Sequence, residues 1–189
     1  SEMCIRDRGR NIIYSAALMG FFWGQVRLGA RTQSERSWQE ASELALCHSY
    51  DEALPYYVSL KHRFEDNPYF LYNYAAVFTE AKEYEKALKV ALECRKYWAD
   101  YDLELLLGDI YREKKDYKQA EEYYMSASYM CPSRFLPLYQ LYELYKCIGN
   151  TEKASELAKI LLEKPAKVNS MLIKRIKYQL KKECELLIL

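Results

Sequence analysis

The chain has 189 residues, with 28 lysines and arginines against 27 aspartates and glutamates, so a net charge of +1 excludes a broad electrostatic grip on nucleic acid. The length suits one domain, or a short array of repeats with an appendage, and excludes two full globular domains. Only six glycines and five prolines occur, and most prolines stand between periodic segments, which favours an all-α chain over one built on strands.

The first segment, "SEMCIRDR", resembles translated adaptor sequence. Residues 1–10 are therefore expected to be a non-native lead, and the natural chain is expected to continue upstream. From Asn11 to Gly24 the sequence reads "NIIYSAALMGFFWG", a stretch without charge, followed by Arg27, Arg31 and Arg36. At 1.5 Å per residue it spans about two thirds of a bilayer core, so 11–29 reads as an apolar helix and the possible end of a transmembrane segment. A signal-peptide core or an amphipathic helix packed on the adjoining helices are the other readings; the first lacks an A-x-A-like cleavage site. The three arginines and the scattered cysteines lean the downstream residues toward the cytoplasm.

A repeat begins next. Ala53, Ala87, Ala120 and Ala154 are spaced 34, 33 and 34 residues apart. Each follows a polar turn, in "SYDEAL", "EYEKAL", "DYKQAE" and "NTEKAS". Upstream in fixed register come Leu44, Phe78, Tyr111 and Tyr145, and before them Ala41, Ala75, Gly108 and Tyr142. Such a period predicts hairpins of two antiparallel helices whose crossing needs small side chains, with Ala120 against Gly108 as one crossing. One hairpin cannot bury its apolar face, so each requires the next. Asp51, Glu83 and Asp116 are expected to cap second helices, and Pro68 and Pro132 to punctuate hairpin ends. Tyr111, Tyr124 and Tyr145 belong to the expected core.

The last segment, 169–187, reads as a capping helix. Ile173, Ile176, Leu180 and Leu187 fall on one face, with Lys174, Arg175, Lys177, Lys181 and Lys182 around the rest and Ser170 as N-cap. A basic amphipathic helix lying on an anionic membrane is the competing reading.

No chemistry-bearing constellation appears. The cysteines at 4, 47, 94, 131, 147 and 184 form no C-x-x-C pair. His48 beside Cys47 does not make a nucleophile and base, because sequence neighbours do not face each other on a helix. No catalytic residue, cofactor or metal is expected.

With "LGDIY", Ala120, Tyr124, Ala127 and Pro132 in view, residues 35–165 resemble a tetratricopeptide repeat array, with repeats at about 35–66, 68–99, 101–132 and 134–165. Ala91 and Ala158 depart from the pattern where a bulky aromatic is usual, as does Tyr142 where Gly or Ala is usual. The resemblance implies a right-handed superhelical stack of about four hairpins, flanked by the N-terminal apolar helix and the C-terminal capping helix. It further implies that first helices line a concave surface that binds protein or peptide partners, with glycan as a second ligand class. The residues placed there are Tyr69, Tyr72, Asn73, Ala76, Asp102, Leu105, Asp109, Arg112, Leu136, Tyr139, Glu143 and Lys146. Tyrosine, 19 of the residues, offers a flat apolar face with a hydrogen-bonding edge to either ligand. Trp38, Tyr72, Leu105 and Tyr139 stand where a carboxylate clamp would need lysines, so a clamp for C-terminal carboxylates is not expected.

The order of features, with "SWQEAS", "NPYFLYNYAAV", "CPSRFLPLYQLYELYKCIGNTEKA" and "KVNS", resembles the C-terminal tail of the O-antigen ligase or polymerase family of Bacteroides-like bacteria. That resemblance implies an inner-membrane parent that transfers lipid-linked glycans, reached through the N-terminal helix, and a non-catalytic tail. A free-standing adaptor or scaffold is the alternative.

Overall fold

The computed structural model describes residues 19, 29, 31–166 and 170–186. The expected lead at 1–10, nearly all of the apolar segment 11–29, and Leu187 lie outside them. The secondary structure among the described residues is helical throughout: α1 (31–46), α2 (Tyr50–Leu60) with a 3-10 turn at Lys61–Arg63, α3 (Pro68–Glu80), α4 (Tyr84–Arg95), α5 (Tyr101–Glu113), α6 (Tyr117–Met130), α7 (Leu136–Cys147), α8 (Thr151–Glu163) and α9 (Met171–Leu186). Two compact units divide the chain after Phe64. In the first, Trp38 of α1 lies 5.3 Å from Phe64, ring to ring, and the Ser42 and Tyr57 hydroxyls meet at 3.3 Å. In the second, α3 packs on α4, α5 on α6 and α7 on α8, while α4–α5, α6–α7 and α8–α9 contacts join each hairpin to the next.

The alanine period has a structural meaning. Ala53, Ala87, Ala120 and Ala154 are each the fourth residue of α2, α4, α6 and α8, and none is more than 4% exposed. Two further registers trade volume in three of the four hairpins, the exception being Ala75 with Ala91. Ala41, Ala75, Gly108 and Tyr142 on first helices go with Tyr57, Ala91, Tyr124 and Ala158 on second helices, and all eight are buried. Where one member is a tyrosine the other is small, so the departures at Tyr142 and Ala158 compensate each other. At Gly108 the nearest neighbour is the Tyr124 ring rather than Ala120: a Cβ would come within 2.4 and 2.5 Å of it. The expected crossing at Gly108 is therefore real, but the larger partner occupies it.

Each first helix ends in the same way. The N–H groups of Ser49, Glu83, Asp116 and Asn150 donate to the carbonyls of Leu44, Phe78, Tyr111 and Tyr145 at 2.9–3.0 Å. The preceding residues, His48, Lys82, Lys115 and Gly149, take φ of 61, 62, 64 and 78° and donate to the residue three before them. This is the paired bonding of a Schellman motif, which satisfies the otherwise orphaned carbonyls of the last turn. The large residues upstream of each alanine thus also anchor the turn. Three of the four left-handed positions carry a side chain, where glycine avoids the Cβ strain. Lys82→Gly and Lys115→Gly are each expected to stabilise the protein by about 0.5–1 kcal/mol, and Gly149→Ala to destabilise it by about 1 kcal/mol, read as shifts of the urea midpoint.

The caps correct the sequence reading in part. Asp116 accepts the Gln119 N–H at 3.2 Å as expected, but Glu83 makes no side-chain cap bond, and Asp51 lies inside α2, whose N-cap is Ser49. The second helix α8 is capped by Asn150, which accepts from Lys153, and the first helices α3 and α5 carry caps of their own: Asn67 accepts from Tyr69 and Phe70, and Asp100 from Asp102. A side chain can reach the second or third N–H only from the N-cap position with suitable backbone. Pro68 is the first residue of α3, where its missing N–H costs nothing.

The final helix closes the core. Ser170 accepts the Ile173 N–H at 3.3 Å, and Ile176 and Leu180 are fully buried. Lys177 donates to the carbonyls of Leu162 and Lys164, both at 2.8 Å, and so turns inward.

Candidate functional site

Asn67 and Pro68 start α3 so that Tyr69 and Tyr72, one turn apart, fall on the same side of the helix. Tyr69 is 62% exposed, whereas Tyr72 is half-buried. Between α4 and α5 the chain stays tight against the end of α4, because the Tyr97 and Trp98 N–H groups both donate to the Cys94 carbonyl at 3.0 and 3.1 Å. That places the Trp98 indole on α3. Its ring centroid lies 5.3 Å from Tyr69, tilted at 48°, and 5.8 Å from Tyr72, nearly edge-on at 85°. The three rings make one aromatic shelf.

Carboxylates border the shelf. Burial pushes the Tyr72 hydroxyl up to about 12, and the neighbouring charges of Asp102, Asp109 and Asp100 add to the shift, so the phenol remains a donor at neutral pH. Asp102 is exposed; partial burial and Asp100 raise its carboxyl, with Arg134 opposing them. Asp109 accepts a 2.6 Å hydrogen bond from the Tyr124 hydroxyl and lies 3.7 Å from Arg112. Burial still pushes its carboxyl upward against those two partners. Arg112 reaches to α7 through a 2.9 Å bond from Nη1 to Gln140. Asn73 is half-buried on α3.

The residues expected on α7 have partners on α9. The Tyr139 hydroxyl donates to Gln179 at 3.3 Å, and Lys146 donates to Glu183 at 2.8 Å while lying 3.7 Å from Glu143. Tyr142 also donates to Glu183. Burial, followed by Glu143 and Glu183, pushes the Tyr139 hydroxyl up to about 12. The sequence-predicted set therefore falls into two neighbourhoods. One joins Tyr69 and Tyr72 to Asp102 and Asp109; the other links Tyr139, Glu143 and Lys146 to the last helix. Of the apolar residues placed on the same face, Leu105 is a core residue at 6% exposed. Leu136 lines a shallow cleft of about 390 Å³ with Tyr101 and Arg134.

Trp98 is the member that sequence reasoning missed. It stands in a connection between hairpins, outside the first helices that the repeat pattern singles out. The signal present in the sequence is an aromatic three residues past a helix end and two before an acidic helix start.

No cluster of three His, Cys, Asp or Glu side chains able to hold a metal occurs among the described residues. His48 Nδ1 bonds the Tyr50 hydroxyl at 2.7 Å. Cys94 is buried, donates to the Pro68 carbonyl at 3.2 Å, and has its thiol pushed up to about 11 by burial, so it stays protonated.

No protein-family model matches the sequence, and no curated protein matches it. Solved structures do share its fold. MamA from Desulfovibrio magneticus RS-1, residues 41 to the end, is 21% identical, with 66% of this chain and 71% of that chain covered and a TM-score of 0.62. The MamA RS-1 ArsTM double mutant is 18% identical over 79% of this chain and 76% of that chain, with a TM-score of 0.61. MamA MSR-1 C2 is 10% identical over 80% and 78%, at 0.58. At these identities the likeness is one of fold: packed helix hairpins of the tetratricopeptide type.

Proposed function

We propose that the chain is a non-catalytic protein-interaction module that holds a polypeptide partner on the first-helix side of its second unit. The observation that carries this reading is the aromatic shelf of Tyr69, Tyr72 and Trp98, bordered by Asp102 and Asp109. Exposed tyrosine and tryptophan with polar edges are the side chains that dominate protein interfaces. The tetratricopeptide-type fold supports the same reading, since such hairpins present one helix of each pair along a common surface.

The test is an overlay of the purified full chain on an array of short extended peptides. Tyr72→Ala combined with Trp98→Ala is expected to weaken binding to the retained peptides by about tenfold or more, with helix content unchanged by circular dichroism. Equal binding by wild type and the double variant would remove the shelf from the function.

The finer placement, as the C-terminal accessory domain of an inner-membrane O-antigen ligase or polymerase-like glycan transferase, is supported by the order of sequence segments that resemble that family. Arg27, Arg31 and Arg36 after the apolar stretch support the cytoplasmic side for the repeats. Among the described residues no helix is long and apolar enough to cross a membrane, so the anchor in this proposal is the stretch from Asn11. Reading the genomic sequence upstream of Asn11 tests the placement. Further hydrophobic helices in frame are expected, and a start codon next to Asn11 would leave a free-standing adaptor.

A further inference from the structure

From the chemistry of the shelf and its border we infer that the partner segment is an extended peptide that seats an arginine on Tyr69 and Trp98 and pairs it with Asp100 and Asp102. The inference rests on the docking role proposed above and names its ligand class.

The ring geometry and the placement of the acids converge on a cation of this shape. First, Tyr69 is well exposed and Trp98 partly so, and the two rings are tilted against each other at 48° rather than closed into a cage. Such rings offer outer faces to a planar group, and a guanidinium stacks on aromatic faces where an ammonium acts as a point charge. Second, Asp100 and Asp102 stand at the start of α5, two and four residues after Trp98. Asp100 raises Asp102, and both raise Tyr72. Of the cations acting on these acids, Arg134 sits over the Tyr101 ring at 5.6 Å and partly offsets Asp102, while Arg112 lies 3.7 Å from Asp109 and bonds Gln140, so neither covers Asp100. Third, Asp66, just before the N-cap of α3, adds the same sign of charge beside the exposed Tyr97. An incoming arginine therefore meets an attractive field and a flat apolar platform together. A neutral sugar would use only the platform, and an acidic peptide would be repelled.

The experiment uses the full chain and three pools of fluorescein-labelled, otherwise degenerate extended peptides whose fixed central motif is Arg-X-Arg, Lys-X-Lys or Gln-X-Gln, read by anisotropy at low and high salt. The Arg pool is expected to bind about tenfold tighter than the Gln pool, with the Lys pool between them and the Arg advantage shrinking at high salt. Asp100→Asn with Asp102→Asn should bring the Arg pool down to the Gln level. Lowering the pH should erode the Arg advantage starting above the ordinary aspartate range, because Asp102 protonates early. Equal binding of the three pools, abolished by Trp98→Ala, would overturn the arginine inference while leaving the docking role intact. Binding of no pool, with Trp98 fluorescence unchanged, would overturn both.

Discussion

Gly108→Ala is expected to destabilise the protein by about 3 kcal/mol, at the upper end of what overpacking costs. A methyl group there would lie 2.4 and 2.5 Å from two carbons of the Tyr124 ring. The ring cannot swing away, because Tyr124 is fully buried and its hydroxyl is held by Asp109 at 2.6 Å. Tyr124→Ala is expected to cost about 3–5 kcal/mol by leaving a cavity. Combined, the two should cost clearly less than their sum, since removing the ring removes the clash. The hairpin α7–α8 shows the reverse arrangement, with Tyr142 on the first helix and Ala158 on the second, both buried. Gly108→Tyr together with Tyr124→Ala should therefore be tolerated better than Gly108→Tyr alone. Urea unfolding monitored by circular dichroism measures all of these. A Gly108→Ala midpoint equal to wild type would contradict the close packing at this crossing.

Arg95→Ala has the second large expected effect. Glu104 is a carboxylate with no exposed surface in the first turn of α5, and the Arg95 guanidinium at the end of α4 meets it at 2.8 and 3.5 Å. The α5 N-terminal dipole also favours a negative charge there. Removing the arginine strands the charge, and breaking a buried pair in this way costs about 3–5 kcal/mol. Because Arg95 is itself 44% exposed, water entry should hold the loss near the lower figure. Arg95→Met with Glu104→Leu should recover most of it, since replacing both partners removes the uncompensated charge. A double variant as unstable as Arg95→Ala would show that the arginine acts through its packing on the Tyr123 ring, 5.2 Å away, instead.

How much of this is legible in the sequence depends on whether a constraint repeats. The alanines are legible because the fourth residue of each second helix is buried where only a small side chain is used, and that constraint recurs at each hairpin with the same register. The turns are not, because three of the four left-handed positions are His48, Lys82 and Lys115, which carry no glycine signal. The caps are half legible. Asp116 can be read from its place before a second helix, while Asn67, Asp100 and Asn150 fall outside the residues singled out for capping, although asparagine and aspartate are strong N-caps. Glu104 reads as a solvated charge until Arg95, from the preceding hairpin, is seen to cover it. The α7 residues Tyr139, Glu143 and Lys146 follow from repeat register alone. Their links to Gln179 and Glu183 depend on how α9 packs, and a single capping helix has no period from which to read that.

Hydroxyl-radical footprinting of the full chain, with and without the Arg-X-Arg peptide pool, tests the docking claim most directly, since it reads aromatic side chains one by one. Tyr69 and Trp98 are expected to lose most of their reactivity when the pool is bound. Tyr129 on α6 and Tyr178 on α9, 71% and 70% exposed, should keep theirs. Protection of Tyr129 or Tyr178 with Tyr69 and Trp98 unchanged would place the partner elsewhere and contradict the account.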